Sequence, residues 1–315
     1  MFPADHLRDI FGSVTVSPRP IQPSPGAVVE PLVIFYTREV REHANMFHTT
    51  ADLVNVFSAL YMTQTNPSQT RLVLLDAHYP SPLDTLWGAL YSAAPIIRPH
   101  DLHNNTLVAV RAIFPIAGYA SIFLADLEKT GVLKRRLALF SVFRLFVLSS
   151  VGVPSSPTTP ATNTQLVLIS RRPATEDGRL DRQLANEPEI LSHIETRHPD
   201  LHAAAVDLAR LTVREQVALM GLVDILVGVH GAGLTHVVFL GKHAALIEIW
   251  PQGGKWRCFE HLAAWSGVYY QRVRNTCAQC VYFGRTGWAL KLPPEKLDWA
   301  VDAALEHVTG RGNLG

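Results

Sequence analysis

Asp224-Ile225-Leu226-Val227-Gly228-Val229-His230-Gly231-Ala232-Gly233-Leu234-Thr235-His236 is the stretch that decides how this chain is built. The apolar run that ends at Val229 predicts a strand buried on both faces, as in parallel sheets. It stops at His230-Gly231-Ala232-Gly233, and a helix is expected to start at Leu234-Thr235. Glycines let a backbone turn tightly and approach a ligand closely. A helix N-terminus presents unpaired N–H groups and the positive end of a dipole. The segment therefore reads as a cradle for a diphosphate at the carboxyl end of a parallel sheet. The plain alternative is a tight turn with no ligand. The motif is not GxGxxG, and no acidic residue follows at the right distance after a first strand, which disfavours a dinucleotide.

The same grammar extends outward from this turn. Downstream, Ala245-Leu246-Ile247-Glu248-Ile249 is a strand and Pro294 to His307 a terminal helix. Upstream, Leu211 to Leu222 is a helix, with Thr212 and Glu215 at capping-box spacing. Pro188 to Thr196 is another helix, and Leu166-Val167-Leu168-Ile169-Ser170 a strand. Before it, Ser149 to Asn163 is rich in Ser, Pro, Thr and Gly, the composition of a linker. The first half repeats the alternation. Strands are expected at Val33–Tyr36, Leu72–Asp76 and Pro95–Ile97, and helices at Phe47–Tyr61, Asp84–Tyr91 and Leu133–Leu148. Five prolines between residues 17 and 31 predict an extended or loop segment. Short apolar strands alternating with helices imply parallel sheets. The expected organisation is a domain over 1–150, a linker over 151–163 and a second domain over 164–315.

Bulk properties narrow the function. With 315 residues, 48% hydrophobic and 17% charged, the chain can bury a large core. A net charge of +1 gives no reason to expect a nucleic acid. Met1 to His6 has no basic region followed by an apolar run, so no signal peptide is read there, and the start resembles the middle of a longer chain. The most apolar stretch, Leu137 to Val153, holds Arg144 and suits a buried helix better than a membrane span. Cys277 and Cys280 form a CxxC without a second ligand pair for zinc, so a bridge or two free thiols is expected.

Other residues can join the glycine turn. Arg171, at the end of the Leu166–Ser170 strand, can hold a phosphate as a planar fork, although an exposed Arg171-Arg172 pair is the simpler reading. Glu248, at another strand end, could accept both hydroxyls of a ribose. In the first half His48, Asp52 and Asn55 share one helix face. A histidine with a carboxylate one turn away can serve as an oriented base.

These residues together resemble the family 61 glycosyltransferases. Val229 to His236 with Phe239-Leu240, Glu248 and Pro251 is similar to that family's signature, and the HGAGLTH form to its animal-type branch. Leu168 to Arg171, Arg182 to Asn186, Asp207, Glu215-Gln216 and Asp224-Ile225 resemble further segments of it. So do Phe47-His48 with Asp52 and Asn55, Asp84 to Trp87, and Phe143 to Phe146. One departure is Gly241, where the family usually has proline. The resemblance implies a glycosyltransferase B fold, two Rossmann-like domains facing a cleft. It implies inverting transfer of GlcNAc or xylose from a UDP-sugar to a protein or glycan hydroxyl, in the lumen of the endoplasmic reticulum or Golgi. An acceptor sequon at Asn104-Asn105-Thr106 fits such a location.

The expected donor site comprises Arg171, His230, Gly231, Ala232, Gly233, Leu234, Thr235, His236 and Glu248. His48 is the expected base, steadied by Asp52, with Asn55 beside them on the acceptor side. Without an Asp-x-Asp at a suitable strand end, no essential metal or other cofactor is expected. Two rivals are a non-catalytic sugar- or nucleotide-binding protein on the same fold and a phosphate-binding oxidoreductase.

Overall fold

The long apolar runs form strands and the periodic segments between them form helices in a computed structural model of the chain. It describes residues 11–12, 15, 17–19, 22–39, 42–102, 106–116, 118, 121–123, 135–155, 163–172, 180–251, 256–277, 280–284 and 287–310. The sequon asparagine, residue 104, and residues 156–162 of the expected linker lie outside these.

The chain divides into two compact units, Met1–Asp126 and Leu127–Gly315. The boundary was expected at 151–163. It falls earlier because the helix α3 (Ala138–Ser150) packs on the second unit. The Arg144 Nε donates to the Phe239 carbonyl at 3.0 Å, the Leu137 N–H donates to Trp265 at 2.9 Å, and the Phe140 and Trp265 rings lie 5.3 Å apart.

The first unit holds β1 (Val28–Tyr36), α1 (Met46–Met62), β2 (Arg71–Leu74), α2 (Asp84–Tyr91) and β3 (Leu107–Ile113). The sheet order is β2-β1-β3, parallel throughout. The expected third strand at Pro95–Ile97 is a single bridge from Ile97 to Val73. The true third strand carries an exposed Val110 and the polar Arg111, which break the buried-strand pattern.

The second unit holds β4 (Thr164–Ile169), β5 (Gln183–Leu184), α4 (Glu187–Arg197), β6 (Leu201–Val206), α5 (Val213–Met220) and β7 (Ile225–Val229). A 3₁₀ helix (Ala232–Phe239), β8 (Ala245–Trp250), α6 (Cys258–Ser266), β9 (Tyr269–Arg274), β10 (Val281–Gly284), β11 (Gly287–Leu290) and α7 (Asp298–Gly310) follow. The main sheet runs β6-β4-β7-β8-β9, every pairing parallel. Taken in chain order this is 2-1-3-4-5, so the order reverses between β4 and β7. Its core is aliphatic, with Leu166, Leu168, Ile225, Val227, Ile247 and Ile249 all essentially excluded from solvent. The alanine-rich β6 was not legible as a strand, because alanine favours helix; the neighbouring β4 imposes it. A smaller sheet has the order β10-β11-β5, antiparallel in its first pairing and parallel in its second.

The expected cap is present: the Thr212 side chain accepts from the Glu215 N–H, and Glu215 reaches back to the Thr212 N–H at 2.8 Å. Thr212→Ala removes the side-chain half of that exchange and should lower stability by about 0.5–2 kcal/mol, read from a chemical denaturation midpoint at unchanged slope.

Candidate functional site

In open parallel sheets, ligands bind outside the carboxyl ends of the strands where the strand order reverses. Here that point lies between β4, which runs into Ser170-Arg171, and β7, which runs into His230-Gly231. Arg171 and Arg182 converge on the glycine. A Cβ built on Gly231 would lie 2.9 Å from Arg171 Nη1 and 3.6 Å from Arg182 Nη1. The Arg182 Nη1 donates to the His230 carbonyl at 3.0 Å and the Arg171 Nε to the Asp181 carbonyl at 3.2 Å. Burial, and then the charge of Arg182, hold Arg171 below the usual arginine range, against the pull of Asp181. Two guanidiniums brought together this way repel, and an anion between them would relieve the repulsion. Arg182 itself sits at φ 65°, a left-handed conformation costing a non-glycine residue of order 1–3 kcal/mol. Its sequence neighbourhood was noted, but it was not placed in the site; its strained backbone and its reach to His230 are visible only in three dimensions.

The glycines of the turn answer to packing. Gly231 is extended at φ 167°, a conformation open to any residue. A Cβ on Gly233 would lie 3.2 Å from Ile169 Cγ2, and one on Gly228 3.0 Å from Leu234 Cδ2. The room expected at Gly233 for a diphosphate is therefore used by β4, which the turn approaches closely. The helix that follows is 3₁₀ from Ala232, not α from Leu234. Its first N–H groups have no partners within the helix.

Leu234, Thr235 and His236, expected to touch a donor, are buried and hold the turn from behind. His236 Nδ1 is 2.8 Å from the Gly233 carbonyl and Nε2 2.8 Å from Gln216 Oε1. The Gln216 Nε2 donates to Leu208 and Leu211, so its oxygen faces the imidazole. Burial pushes the His236 pKa down to about 4 although the Gly233 carbonyl favours the proton.

Glu248 is a second correction. It was expected to hold a ribose, yet it is 0% exposed and both its oxygens are engaged. Oε1 lies 2.5 Å from His230 Nδ1, and Oε2 accepts from the Tyr270 hydroxyl at 2.5 Å. Tyr270 in turn accepts from Arg272 Nε at 2.9 Å, and the Arg272 guanidinium lies 4.2 Å from the centre of the Trp250 ring. The His230 ring is set edge-on to Trp250 and Phe259. A carboxylate on Nδ1 fixes that nitrogen as the N–H and leaves Nε2 as the nitrogen with a lone pair. Cys277 and Cys280 form a disulfide, which settles the open alternative for them. Burial pushes the third thiol, Cys258, up to about 12, so it is no nucleophile at neutral pH.

In the first unit, the expected His48–Asp52 bond is not formed, because the end of β1 and the loop after it give each residue its own partner. His48 Nδ1 lies 2.5 Å from Glu39 Oε2, with Glu42 at 3.9 Å. Asp52 is buried and accepts from the Tyr36 hydroxyl at 2.7 Å. Burial opposes charge on His48, but the bond to Glu39 and the charges of Glu39 and Glu42 outweigh it and raise its pKa. Burial, with Glu39 nearby, lifts Asp52 well above the usual carboxylate range against the Tyr36 bond. The Asn55 Nδ2 donates to the Ile116 carbonyl at 2.9 Å, tying α1 to the segment that follows β3. Arg38, also buried, binds both oxygens of Asp76 at 3.1 and 2.7 Å and one of Asp84 at 2.6 Å. Among the described residues no group of three or more His, Cys, Asp or Glu is placed to hold a metal ion, and no helix is long and apolar enough to cross a membrane.

The second unit is thus a parallel α/β unit with two arginines over a glycine turn at its switch point. The sequence model described as Glycosyltransferase 61 matches residues 16–247, and the chain belongs to that family. An EGF domain-specific O-linked N-acetylglucosamine transferase of Drosophila melanogaster is 26% identical over 72% of the chain and 42% of its own length. A Beta-1,2-xylosyltransferase of Arabidopsis thaliana is 24% identical over 74% of the chain and 50% of its own length. The chain thus spans half or less of these curated relatives. A glycosyl transferase family 9 structure from Veillonella parvula covers 88% of the chain and 97% of its own at 10% identity and a TM-score of 0.37, too slight a likeness to argue from.

Two outcomes follow from the buried groups. Glu248→Ala strands His230 and Tyr270 and should cost about 1–3 kcal/mol for each group left unpaired, measured by thermal or denaturant unfolding. For His236, the unfolded chain takes up a proton near the ordinary value of 6.5 that the folded chain refuses until about 4. This site therefore adds stability above pH 6.5 and loses it as pH falls toward 4. Melting temperatures across that window should fall less steeply in His236→Gln than in the parent, and equal slopes would remove the assignment.

Proposed function

We propose that the chain is the catalytic part of an inverting glycosyltransferase that moves GlcNAc or xylose from a UDP-sugar to a protein or glycan hydroxyl. The observation that carries this reading is the convergence of Arg171 and Arg182 on Gly231 at the switch point of the second unit's sheet. Family membership and the names of the two relatives support it. The guanidiniums and the N-terminal N–H groups at Ala232 and Gly233 would hold the diphosphate. They would stabilise the negative charge that grows on UDP as the sugar leaves, the part a metal plays elsewhere, so no essential metal is proposed. His230, fixed by Glu248, would present Nε2 to the donor. The glycosyltransferase B arrangement, with acceptor binding on the first unit, and a place in the lumen of the endoplasmic reticulum or Golgi belong to the same proposal.

Inversion needs one base at the acceptor hydroxyl, opposite the leaving group. His48 is the proposed base. Its orienting carboxylate is Glu39 rather than Asp52, on the 2.5 Å contact. Asp84 is held by Arg38 and Arg98, which keeps its carboxylate from that part.

Calorimetry should find UDP binding and no NAD binding; the reverse would favour an oxidoreductase. Hydrolysis assays across UDP-sugars would identify the donor, and UDP binding without transfer or hydrolysis would favour a non-catalytic binding protein. Arg171→Ala should weaken UDP by roughly 1.5–3 kcal/mol in a folded protein. His48→Ala should cut transfer about 10²–10⁴-fold and leave UDP affinity alone. Because the base must be neutral and its pKa is raised, transfer should climb as pH rises through a value above 6.5. That limb should move toward lower pH in Glu39→Gln, and a limb that ignores Glu39 would place the base elsewhere.

A further inference from the structure

A cavity of ≈ 340 Å³ opens beside Arg171. Arg171 lines it, and the opposite wall is the small sheet β10-β11-β5. The register of that sheet sets Tyr282 opposite Ala289 and Ala289 opposite Gln183, so the three form one row across its strands. All three line the cavity. The row runs from an aromatic ring through a methyl group to an amide. The middle position is small, which leaves a slot between ring and amide. Tyr282 is 52% exposed and its neighbour Phe283, also on the cavity, 84%. Leaving two aromatic rings in water beside a cationic pocket gains nothing for folding.

We propose that this slot is the nucleobase subsite of the donor site, with the base stacked on Tyr282 and its edge facing the Gln183 amide. The inference rests on the reading of Arg171 as a diphosphate ligand. It goes beyond that reading by assigning the base to the β10–β11 hairpin, which neither the glycine turn nor the sequence motifs include. The geometry is consistent on three counts. A planar base with a π-face needs an aromatic platform, and Tyr282, on the same sheet face as Ala289 and Gln183, supplies one. The Gln183 Nε2 donates to the Leu180 carbonyl at 2.8 Å, so it is through its oxygen that the amide can meet the imide N–H of a pyrimidine edge. Arg171 is common to the cavity and to Gly231, so a base in the slot and a diphosphate on the turn are joined through one guanidinium. The cavity's size falls at the lower end of the usual range for small-ligand sites, as a nucleoside requires.

The test compares three probes on the full chain by calorimetry: UDP, uridine and inorganic pyrophosphate. Tyr282→Ala should weaken UDP roughly tenfold or more and leave pyrophosphate unchanged, while Tyr282→Phe keeps the parent affinity for both. Ala289→Leu, which fills the slot, should do to UDP what Tyr282→Ala does, again without touching pyrophosphate. Uridine should bind weakly to the parent and not measurably to either damaging variant. Parent-like UDP affinity in both Tyr282→Ala and Ala289→Leu overturns the proposal. So does an equal loss of UDP and pyrophosphate, which would make the hairpin a support for the turn. If the parent binds neither UDP nor pyrophosphate, the Arg171 reading itself has failed, an outcome separable from the other two.

Discussion

The close approach of the β7 turn to β4 is the constraint on which the rest of the second unit depends. Gly228 leaves room for Leu234, and Gly233 leaves room for Ile169. Those contacts draw the turn against the neighbouring strand, and the same approach brings Gly231 under the arginine that follows β4. A larger residue at any of the three would push the turn away from the cations or the cations away from the turn. The glycines are thus required by distance, since neither Gly231 nor Gly233 has a left-handed backbone. What results is a surface where positive charge is concentrated at a strand order reversal, with a short helix starting beneath it.

Behind that surface the polar groups are ordered by burial. Glu248 is wholly enclosed, so its charge has to be met by hydrogen bonds from His230 and Tyr270, and Arg272 extends the chain outward to the ring of Trp250. A buried carboxylate with both oxygens used is a poor ligand for a substrate and a good fixture for an imidazole. His236 makes the complementary case. It faces a carbonyl and an amide oxygen in a closed space, and burial pushes its pKa down to about 4. The two histidines of the motif therefore differ in kind: one keeps partial access to solvent, the other braces the turn.

The first unit follows the same logic with more charge. Arg38 is enclosed and is satisfied by Asp76 and Asp84, which fixes the loop after β1. That loop carries Glu39 to His48. Asp52 lies deeper, where Tyr36 meets it and burial favours its protonated form. One helix face thus presents a histidine and a carboxyl group whose pKa values are both raised, and their separate partners keep the two from acting as a pair.

Parallel α/β architecture, the strand before the glycine turn and the Thr212–Glu215 cap could all be read from sequence, because each rests on local pattern: unbroken apolar runs, glycine spacing, a capping box. The family signature could be read for the same reason, being contiguous. The loci of Arg171 and His48 were legible as well, one at a strand end and one on a helix edge. Their partners were not. Arg182 meets Gly231 only because its backbone is left-handed and its side chain reaches the His230 carbonyl at the end of β7; Glu39 meets His48 only because the loop after a strand end passes a helix. Glu248 looked available at a strand end and is sealed, since burial depends on what packs over a residue and not on what precedes it. The β6 and β3 strands were hidden because alanine and exposed polar residues carry no strand signal until a neighbouring strand supplies the hydrogen bonds. Local periodicity determined the elements; tertiary packing decided which side chains meet, which are sealed and which remain open to a ligand.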